Sequence, residues 1–495
     1  MLRLLDSFTR RKVDFVPREP GKVGMYLCGP TVQNSPHVGH GRSAIAFDIV
    51  RRYLTWSGFE VRFVRNVTDI DDKIIVRARE CGEEVGAFAS RYADEYNSAM
   101  AALGVRPPDV EPRVTGHIPE IVALIERLVA RGVAYAASGD VYYSVNSFAA
   151  YGRLSGQSID DLRAGARVEL GELKQNPLDF ALWKAAKPGE PSWSSPWGPG
   201  RPGWHIECSA MALAHLGETF DLHVGGKDLA FPHHENEIAQ SVGALGEGTF
   251  ARHWMHNGFV NFNDEKMSKS LGNVFLIRDL LERFDGETLR FFLLGTHYRS
   301  PISFEVFEQD GRAIFPGLDE ADRRLEYFYG TLARLDAFLG EKREVSPGPV
   351  TAGADRLDPA VRAAMDDDFN TAVAVAELGE AARAANKLLD DPAGVPKDVR
   401  RRSLARLAHD LRETAVGALG LLDRPPREFL HARRARLADA RGIVEADVAE
   451  RLTEREAARG AREFARADEL RDALRAQGIE IMDTSAGPDW RIADA

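Results

Sequence analysis

The sequence predicts an α/β protein built on a parallel sheet, interrupted by an inserted segment and followed by an all-α region. Three observations predict it. Residues 20–110 alternate short apolar runs with amphipathic helical stretches, as a sheet with crossover helices requires. The alternation stops in a Gly- and Pro-rich tract and resumes near Gly203. Beyond Asn273 the pattern is helical almost to the end of the chain. At 495 residues the chain has room for roughly three domains. With 44% hydrophobic and 28% charged residues and no apolar run of membrane-spanning length, it reads as globular, with no membrane partner. The N-terminus MLRLLDSFTRRKVDF has no signal-like apolar segment, so a cytoplasmic protein is expected. Three widely separated cysteines exclude a disulfide framework. The net charge of −11 argues weakly against nucleic acid. The arginines at 400–402, 433–434 and 436 read as solvated helix faces paired with nearby acids.

Taken in order, Met25–Cys28 is a buried strand, the turn formers Gly29, Pro30, Asn34, Ser35 and Pro36 make a loop, and a helix follows His37-Val-Gly-His40. Its apolar stripe is Ile45, Ile49 and Tyr53 with Ala46, Val50 and Leu54 beside it. Strand, loop and helix N-terminus form an anion-binding geometry of Rossmann type. Glu60–Asn66 is a strand, and helices run from Lys73 to Leu103. The carboxylates Asp69, Asp71 and Asp72 lack the glycine and closing glutamate of a calcium loop and read as helix caps. The insert, residues 111–200, holds a helix at His117–Arg131, a strand pair at Ala134–Val145 and tryptophans that anchor its loops. A helix then runs from Gly203 to Leu216, and Phe220–Val224 is a strand ending at Gly225-Gly226-Lys227-Asp228. A helix opens at Phe231-Pro232, and a strand region spans His253–Phe262. Helices are expected at Ile277–Phe284, Gly286–Leu294, Phe304–Gly340, Pro359–Leu389, Val399–Leu422 and Ala446–Gln477, with a linker at Pro347–Gly353 and a terminal hairpin at Ile479–Trp490.

Two constellations carry chemistry. His37-x-Gly39-His40 alone is a weak signal, but Lys266-Met267-Ser268-Lys269-Ser270 is specific, and an α/β body separates the two. Together they suit attack of a carboxylate on the α-phosphorus of ATP, where charge shifts onto pyrophosphate and catalysis is positioning plus aimed donors. Imidazole N–H groups of His37 and His40 and the ammonium groups of Lys266 and Lys269 supply those donors, the lysines from a loop able to close and reopen. The second constellation is metallic. Cys28 and Cys208 sit at strand or helix ends of one sheet, and His233 and Glu237 are four apart. Two thiolates, an imidazole and a carboxylate suit one tetrahedral Zn2+. His234 is the alternative histidine, though no carboxylate lies four residues after it.

These residues resemble the cysteinyl-tRNA synthetases, a family of class I aminoacyl-tRNA synthetases, over essentially the whole chain. The resemblance rests on Cys28-Gly-Pro-Thr31, His37-Val-Gly-His40-Gly-Arg, Arg65-Asn-Val-Thr-Asp-Ile-Asp-Asp-Lys73, Gly203-Trp-His-Ile-Glu-Cys208, Phe231-Pro-His-His-Glu-Asn-Glu237 and Lys266-Met-Ser-Lys-Ser-Leu-Gly-Asn273. It implies zinc on Cys28, Cys208, His233 and Glu237, with the thiolate of substrate L-cysteine bound to the metal. It implies ATP, with Mg2+, between His37–His40 and Lys266–Lys269, near Gly29, Thr31, Gly39, Met267, Ser268 and Ser270. Gly225, Gly226 and Asp228 fall where the family holds the nucleoside, and Thr68 and Trp204 beside the amino acid. The implied layout is a catalytic domain in two halves, 1–110 and 201–275, and a connective insert, 111–200. A stem-contact region, 276–345, a helical bundle for tRNA, 346–425, and a small anticodon-binding domain, 426–495, complete it. Met365-Asp-Asp-Asp-Phe-Asn370 falls in the tRNA-docking part, and a monomer acting on a cysteine tRNA is expected.

The chain departs from the family at Gln33-Asn34, where an aromatic residue and an aspartate are usual, and at Val224, where glycine is usual. Two other readings share parts of this pattern: a cysteine:amino-sugar ligase of mycothiol synthesis and a non-catalytic RNA-binding paralogue. Residues 400–495 count against the first, and the intact histidines, lysines and ligand set against the second.

Overall fold

The chain opens with an antiparallel hairpin, β1 (Arg3–Asp6) and β2 (Arg11–Asp14), which lies ahead of the region where alternation is readable. The expected strand at Met25 is β3 (Lys22–Leu27), followed by α1 (Val38–Trp56), β4 (Glu60–Arg65), α2 (Asp72–Cys81), α3 (Val85–Ala102) and α4 (Ile118–Ala130). In the insert, β5 (Ala134–Ala137), β6 (Asp140–Tyr143), β7 (Phe180–Ala185) and β8 (Gly200–Pro202) form an antiparallel sheet of their own. Then come α5 (Trp204–Leu216), β9 (Thr219–Gly226), α6 (Glu235–Leu245), β10 (Phe250–Asn257), β11 (Val260–Phe262) and β12 (Glu265–Lys266). The structure is a computed structural model and describes residues 1–157, 173–262, 265–266, 274–309, 312–341, 344–484 and 487–493. Met267, Ser268, Lys269 and Ser270 of the lysine loop lie outside the described residues, and Lys266 is described through its backbone alone.

The central sheet is parallel throughout, in the order β10-β9-β3-β4. Chain order therefore reverses between β3 and β9, and a crevice opens at the carboxyl ends of those two strands. Met25, Tyr26 and Leu27 of β3 and Leu222 and Val224 of β9 are buried on both faces, as covered parallel strands must be. At this switch point β3 delivers Cys28, and β9 delivers Gly225 and Gly226.

The helical region begins as expected with α7 (Ile277–Leu281) and α8 (Gly286–Leu294). The expected helix from Phe304 does not begin there. Ile302 and Phe304 alternate inward on β13 (Ile302–Phe304), which pairs in parallel with β11, and a hairpin of β14 (Phe307–Gln309) and β15 (Arg312–Ile314) precedes α9 (Pro316–Leu339). The expected helix at 359–389 is two helices, α10 (Leu357–Asp366) and α11 (Thr371–Asp390), because Asp368 and Phe369 take left-handed backbone and Asn370 caps the second. Helix α12 (Lys397–Thr414) ends in a wider turn over Ala415–Leu419. Helix α13 (Pro426–Ala440) escaped sequence analysis, since its arginine-rich face carries little apolar period. The single helix expected at 446–477 divides at left-handed Arg462 into α14 (Glu445–Gly460) and α15 (Phe464–Ala476). The closing hairpin is as expected, β16 (Ile479–Thr484) with β17 (Gly487–Ile492).

The left-handed turn between α10 and α11 fastens the helices to the α/β body. Tyr53 donates to Asp366 at 2.7 Å and Lys12 to Asp367 at 2.5 Å. Fully buried Asp368 accepts from the Leu5 amide and the Tyr298 hydroxyl, both at 2.9 Å, and from Arg299 Nε at 2.6 Å. The three aspartates of Met365–Asn370 thus act as bolts inside the chain. The arginine clusters likewise differ from solvated faces: Arg400 and Arg401 donate to backbone carbonyls, and buried Arg433 pairs with Asp322 and Glu326. Asp368→Ala leaves Arg299 and two further donors without their acceptor, so urea denaturation is expected to show a loss of about 3 kcal/mol. Asp367→Ala, at a largely exposed pair, is expected to cost less than about 1 kcal/mol in the same experiment.

Candidate active site and metal-binding group

The crevice at the switch point holds both constellations. Cys28 follows β3, Cys208 lies in the second turn of α5, and Glu237 lies in the first turn of α6. His233 was expected on the same helix as Glu237. It lies instead in an irregular turn, 230–234, in which Phe231 is extended, and regular helix starts only at Glu235. The two side chains still converge, with His233 Nε2 at 3.2 Å from Glu237 Oε1. Cys28 Sγ lies 3.5 Å from Cys208 Sγ and 3.3 Å from Glu237 Oε1. Two thiols, one imidazole nitrogen and one carboxylate oxygen all lie within 4.8 Å of one another, an arrangement that could hold a metal ion. The alternative histidine belongs to a second such grouping, in which His223 and His234 replace Cys208 and His233 around the same Cys28 and Glu237.

Burial sets the protonation of the group. It pushes the Cys28 thiol well up, aided by Cys208 and Glu237, and it raises Cys208 too. Burial alone would raise Glu237, but His223 and His233 outweigh it and hold the carboxyl below its usual range. Burial lowers His233 to about 3, so its ring is neutral and keeps a lone pair. The surroundings fix these groups in place. His223 Nε2 lies 2.8 Å from Glu237 Oε2, and Trp204 stacks on His233 with ring centroids 4.3 Å apart. Asn66 Oδ1 accepts from the Gly29 amide at 2.8 Å and lies 3.6 Å from Cys208 Sγ. Gly29 must be glycine here, since a Cβ would lie 1.6 Å from the Asn66 carbonyl oxygen.

His37 and His40 stand at the start of α1 with rings stacked, centroids 3.8 Å apart, and His40 Nδ1 accepts from the His37 amide at 3.1 Å. The stretch that follows the lysine loop is pinned to them: Val38 donates to the Phe275 carbonyl at 3.1 Å and Ile277 to the Pro36 carbonyl at 3.0 Å. On the other side of the loop, Lys266 is opposite Asn261 in the β11–β12 pair. The loop is therefore anchored beside the histidines at its far end and on β11 at its near end. Thr31 bridges to Thr68, placing both on the β3 side of the crevice, and Thr68 donates to Glu207 at 2.7 Å. Gly225 and Gly226 end β9, and Asp228 follows in a short turn. Of the three clustered aspartates only Asp71 caps a helix; Asp69 accepts from Thr115, and Asp72 pairs with Lys184 of the insert and with Arg201 just after it.

Sequence reasoning missed His223, Asn66 and Glu207. Alternation along β9 was the available signal for His223, which shares a strand face with Gly225. His205, His233 and His256 are each lowered by burial to about 3. The unfolded chain takes up these protons near pH 6.5 and the folded chain only near 3, so the stability they contribute is full above about 6.5 and lost as pH falls toward 3. Denaturation midpoints measured from pH 7 to 4 should fall, and His256→Gln should flatten that fall.

The whole chain can be set beside known proteins. The profile described as the tRNA synthetases class I (C) catalytic domain matches residues 14–309, and the DALR domain matches residues 360–423. A cysteine–tRNA ligase of Anaeromyxobacter sp. (strain K) is 54% identical over 497 residues, covering 99% of each chain. One of Geobacter sulfurreducens is 48% identical over 502 residues, again covering 99% of each. The solved methionyl-tRNA synthetase of Mycobacterium tuberculosis, in complex with methionyl-adenylate, superposes with a TM-score of 0.61. It covers 83% of this chain and 93% of that one at 17% identity, a likeness of fold. No described helix is long and apolar enough to cross a membrane. With the crevice at the switch point, the stacked histidines and full-length identity of this order, the chain belongs to the cysteine–tRNA ligases of the class I aminoacyl-tRNA synthetases.

Proposed function

We propose that the chain activates L-cysteine with ATP and transfers it to the 3′-terminal adenosine of a cysteine tRNA. The observation that carries this reading is the buried group of Cys28, Cys208, His233 and Glu237, set at the switch point that also carries His37 and His40. The cysteine carboxylate attacks the α-phosphorus, the α–β phosphoanhydride breaks, and pyrophosphate leaves with the pair of electrons. A ribose hydroxyl then attacks the carbonyl carbon of the adenylate and AMP leaves. His37 and His40 donate to phosphate oxygens, and Lys266 and Lys269 close over the pyrophosphate. Gly29, Thr31 and Gly39 line the triphosphate path, and Met267, Ser268 and Ser270 shape the closing loop. Gly225, Gly226 and Asp228 hold the nucleoside, and Thr68 and Trp204 bound the amino-acid pocket.

The metal group fits Zn2+: its donors are two sulfurs, a neutral imidazole and a carboxylate already held ionised, with His223 orienting the carboxylate. When bound, the ion supplies a soft Lewis acid that prefers a thiolate to a hydroxyl. Around it, Trp204 stacks on His233 and so fixes the plane of its ring, and Asn66 holds the Gly29 backbone against the group. Serine differs from cysteine by one atom, and an apolar pocket separates such isosteres only by roughly 100-fold. The proposed layout assigns catalysis to 1–110 and 201–275 and the connective insert to 111–200. The stem region is 276–345, the tRNA-docking bundle 346–425 and the anticodon-reading end 426–495.

Purified protein is expected to exchange labelled pyrophosphate into ATP when cysteine is supplied, and to charge tRNA with cysteine and not with serine. Absence of exchange in zinc-loaded protein overturns the reading. About one zinc per chain is expected by elemental analysis, and Cys208→Ser should lose the metal and cysteine binding together.

A further inference from the structure

Helix α1 starts with the two histidines, and its remaining length is gripped by the helical side of the molecule. Arg42, buried, donates to the carbonyls of Leu293, Thr296 and His297 and so caps the carboxyl end of α8. Two turns on, Asp48 is 2% exposed. Its Oδ2 accepts from Arg52 Nε at 2.7 Å and from Arg290 Nη2 of α8 at 2.6 Å, and its Oδ1 accepts from the Arg106 amide at 3.0 Å. Because Arg42 and Asp48 meet successive turns of α8 in reverse order, the two helices run antiparallel and are fixed at two points.

The two guanidinium groups also reach beyond the α/β body. Arg290 donates through Nε to the Leu419 carbonyl at 2.9 Å and through Nη1 to the Gly104 carbonyl at 3.2 Å. Arg52 donates to the same Gly104 carbonyl at 2.8 Å and lies 3.5 Å from the Val416 carbonyl. The turn 415–420 ending α12 therefore sits directly on the pair of cations. Gly420, left-handed at φ 62°, allows that contact: a Cβ there would lie 2.7 Å from Arg52 Cζ and 2.8 Å from Arg290 Nη2. A buried carboxylate shared by two guanidinium groups has few alternative partners, so its geometry is sharply defined.

We propose that Arg290, held between Asp48 of the histidine helix and the Leu419 carbonyl of the helical domain, is a positioning residue for the transfer step. It sets the attitude of the tRNA-side helices relative to His37 and His40, and rests on the ligase reading above. Adenylate formation needs only α1, the crevice and the lysine loop, and so does not depend on that attitude. Transfer needs the 3′ end of a tRNA held by the helical side to arrive at the same crevice, where an error of 1 Å costs roughly 100-fold in rate.

The test separates the two half-reactions. In Arg290→Gln, Asp48 keeps Arg52 as its counter-charge, while the contact to Leu419 is lost. Cysteine-dependent pyrophosphate exchange should stay within about twofold of the unmodified protein, and kcat/KM for tRNA charging should fall at least about tenfold. Gly420→Ala displaces the same cations from the helical side without deleting a charge, and should show the same split. Parallel loss of exchange and charging, no change in either, or failure of both variants to fold overturns the proposal. Exchange by the unmodified protein is measured alongside, which tells failure of this inference apart from failure of the ligase reading.

Discussion

Glu237 is a fully buried carboxylate held in its ionised form, and most of the crevice is organised by the need to keep it so. A lone carboxylate in such a place would take up a proton. Here one oxygen faces His223 and the other faces His233 and Cys28, so both oxygens have polar partners. Those partners come from β9, from the irregular turn before α6 and from the end of β3, so the sheet order that brings β3 beside β9 is a precondition for the group. The same burial makes His233 neutral and the thiols reluctant to ionise. The pocket therefore stores donor capacity that only a cation can fully use.

Helix α1 joins that pocket to the rest of the molecule. Its amino end, after the loop that Cys28 starts, carries the stacked histidines, and its other turns carry Arg42, Asp48, Arg52 and Tyr53 into contacts with α8, the 415–420 turn and Asp366. A charged residue buried on a helix usually costs stability unless it is fully paired. Asp48 and Arg52 on this helix pair with each other and Asp48 also with Arg290, while Arg42 donates to carbonyls at the end of α8, so the sheet is fastened to the helical region at several points. The bolt at Asp368 acts on the same interface from the opposite chain direction, through the turn between α10 and α11.

Much of this was legible in the sequence because it depends on local chemistry. Parallel strands announce themselves as apolar runs, Gly286–Leu294 was bounded to the residue, and the four candidate metal ligands come together, although His233 arrives from an irregular turn and not from the helix its spacing suggests. What escaped depends on partners distant in sequence. Asp368 breaks a helix because Tyr298, Arg299 and Leu5 stabilise its left-handed conformation, and no window around residue 368 contains them. Ile302 and Phe304 look equally suited to a helix start until β11 is there to pair with. Helix α13 hid behind arginines that appear solvent-directed in sequence, yet Arg433 is buried against Asp322 of α9. Arg402 pairs with Asp398 one turn away, as expected, but Arg400, Arg401 and Arg433 were misread for the same reason: charge patterning along one helix says nothing of the carbonyls and carboxylates another element brings to it.

The arrangement also bears on where selectivity can arise. A pocket that must separate two side chains of nearly equal size gains little from shape, so the difference has to come from a chemical property that only one of them has. The crevice provides a place for that property to count before any bond is made: its donors are buried, its imidazole is neutral, and its carboxylate is oriented from behind. In the proposed reaction, discrimination falls at this first step. The described part of the insert, helix α4 and a small antiparallel sheet, meets the crevice elements through Tyr143, Tyr151 and Ser155 on α6 and through Lys184 on Asp72. Selection in the proposed reaction is then a property of the strand ends, and transfer a property of the helix that connects them to the tRNA side.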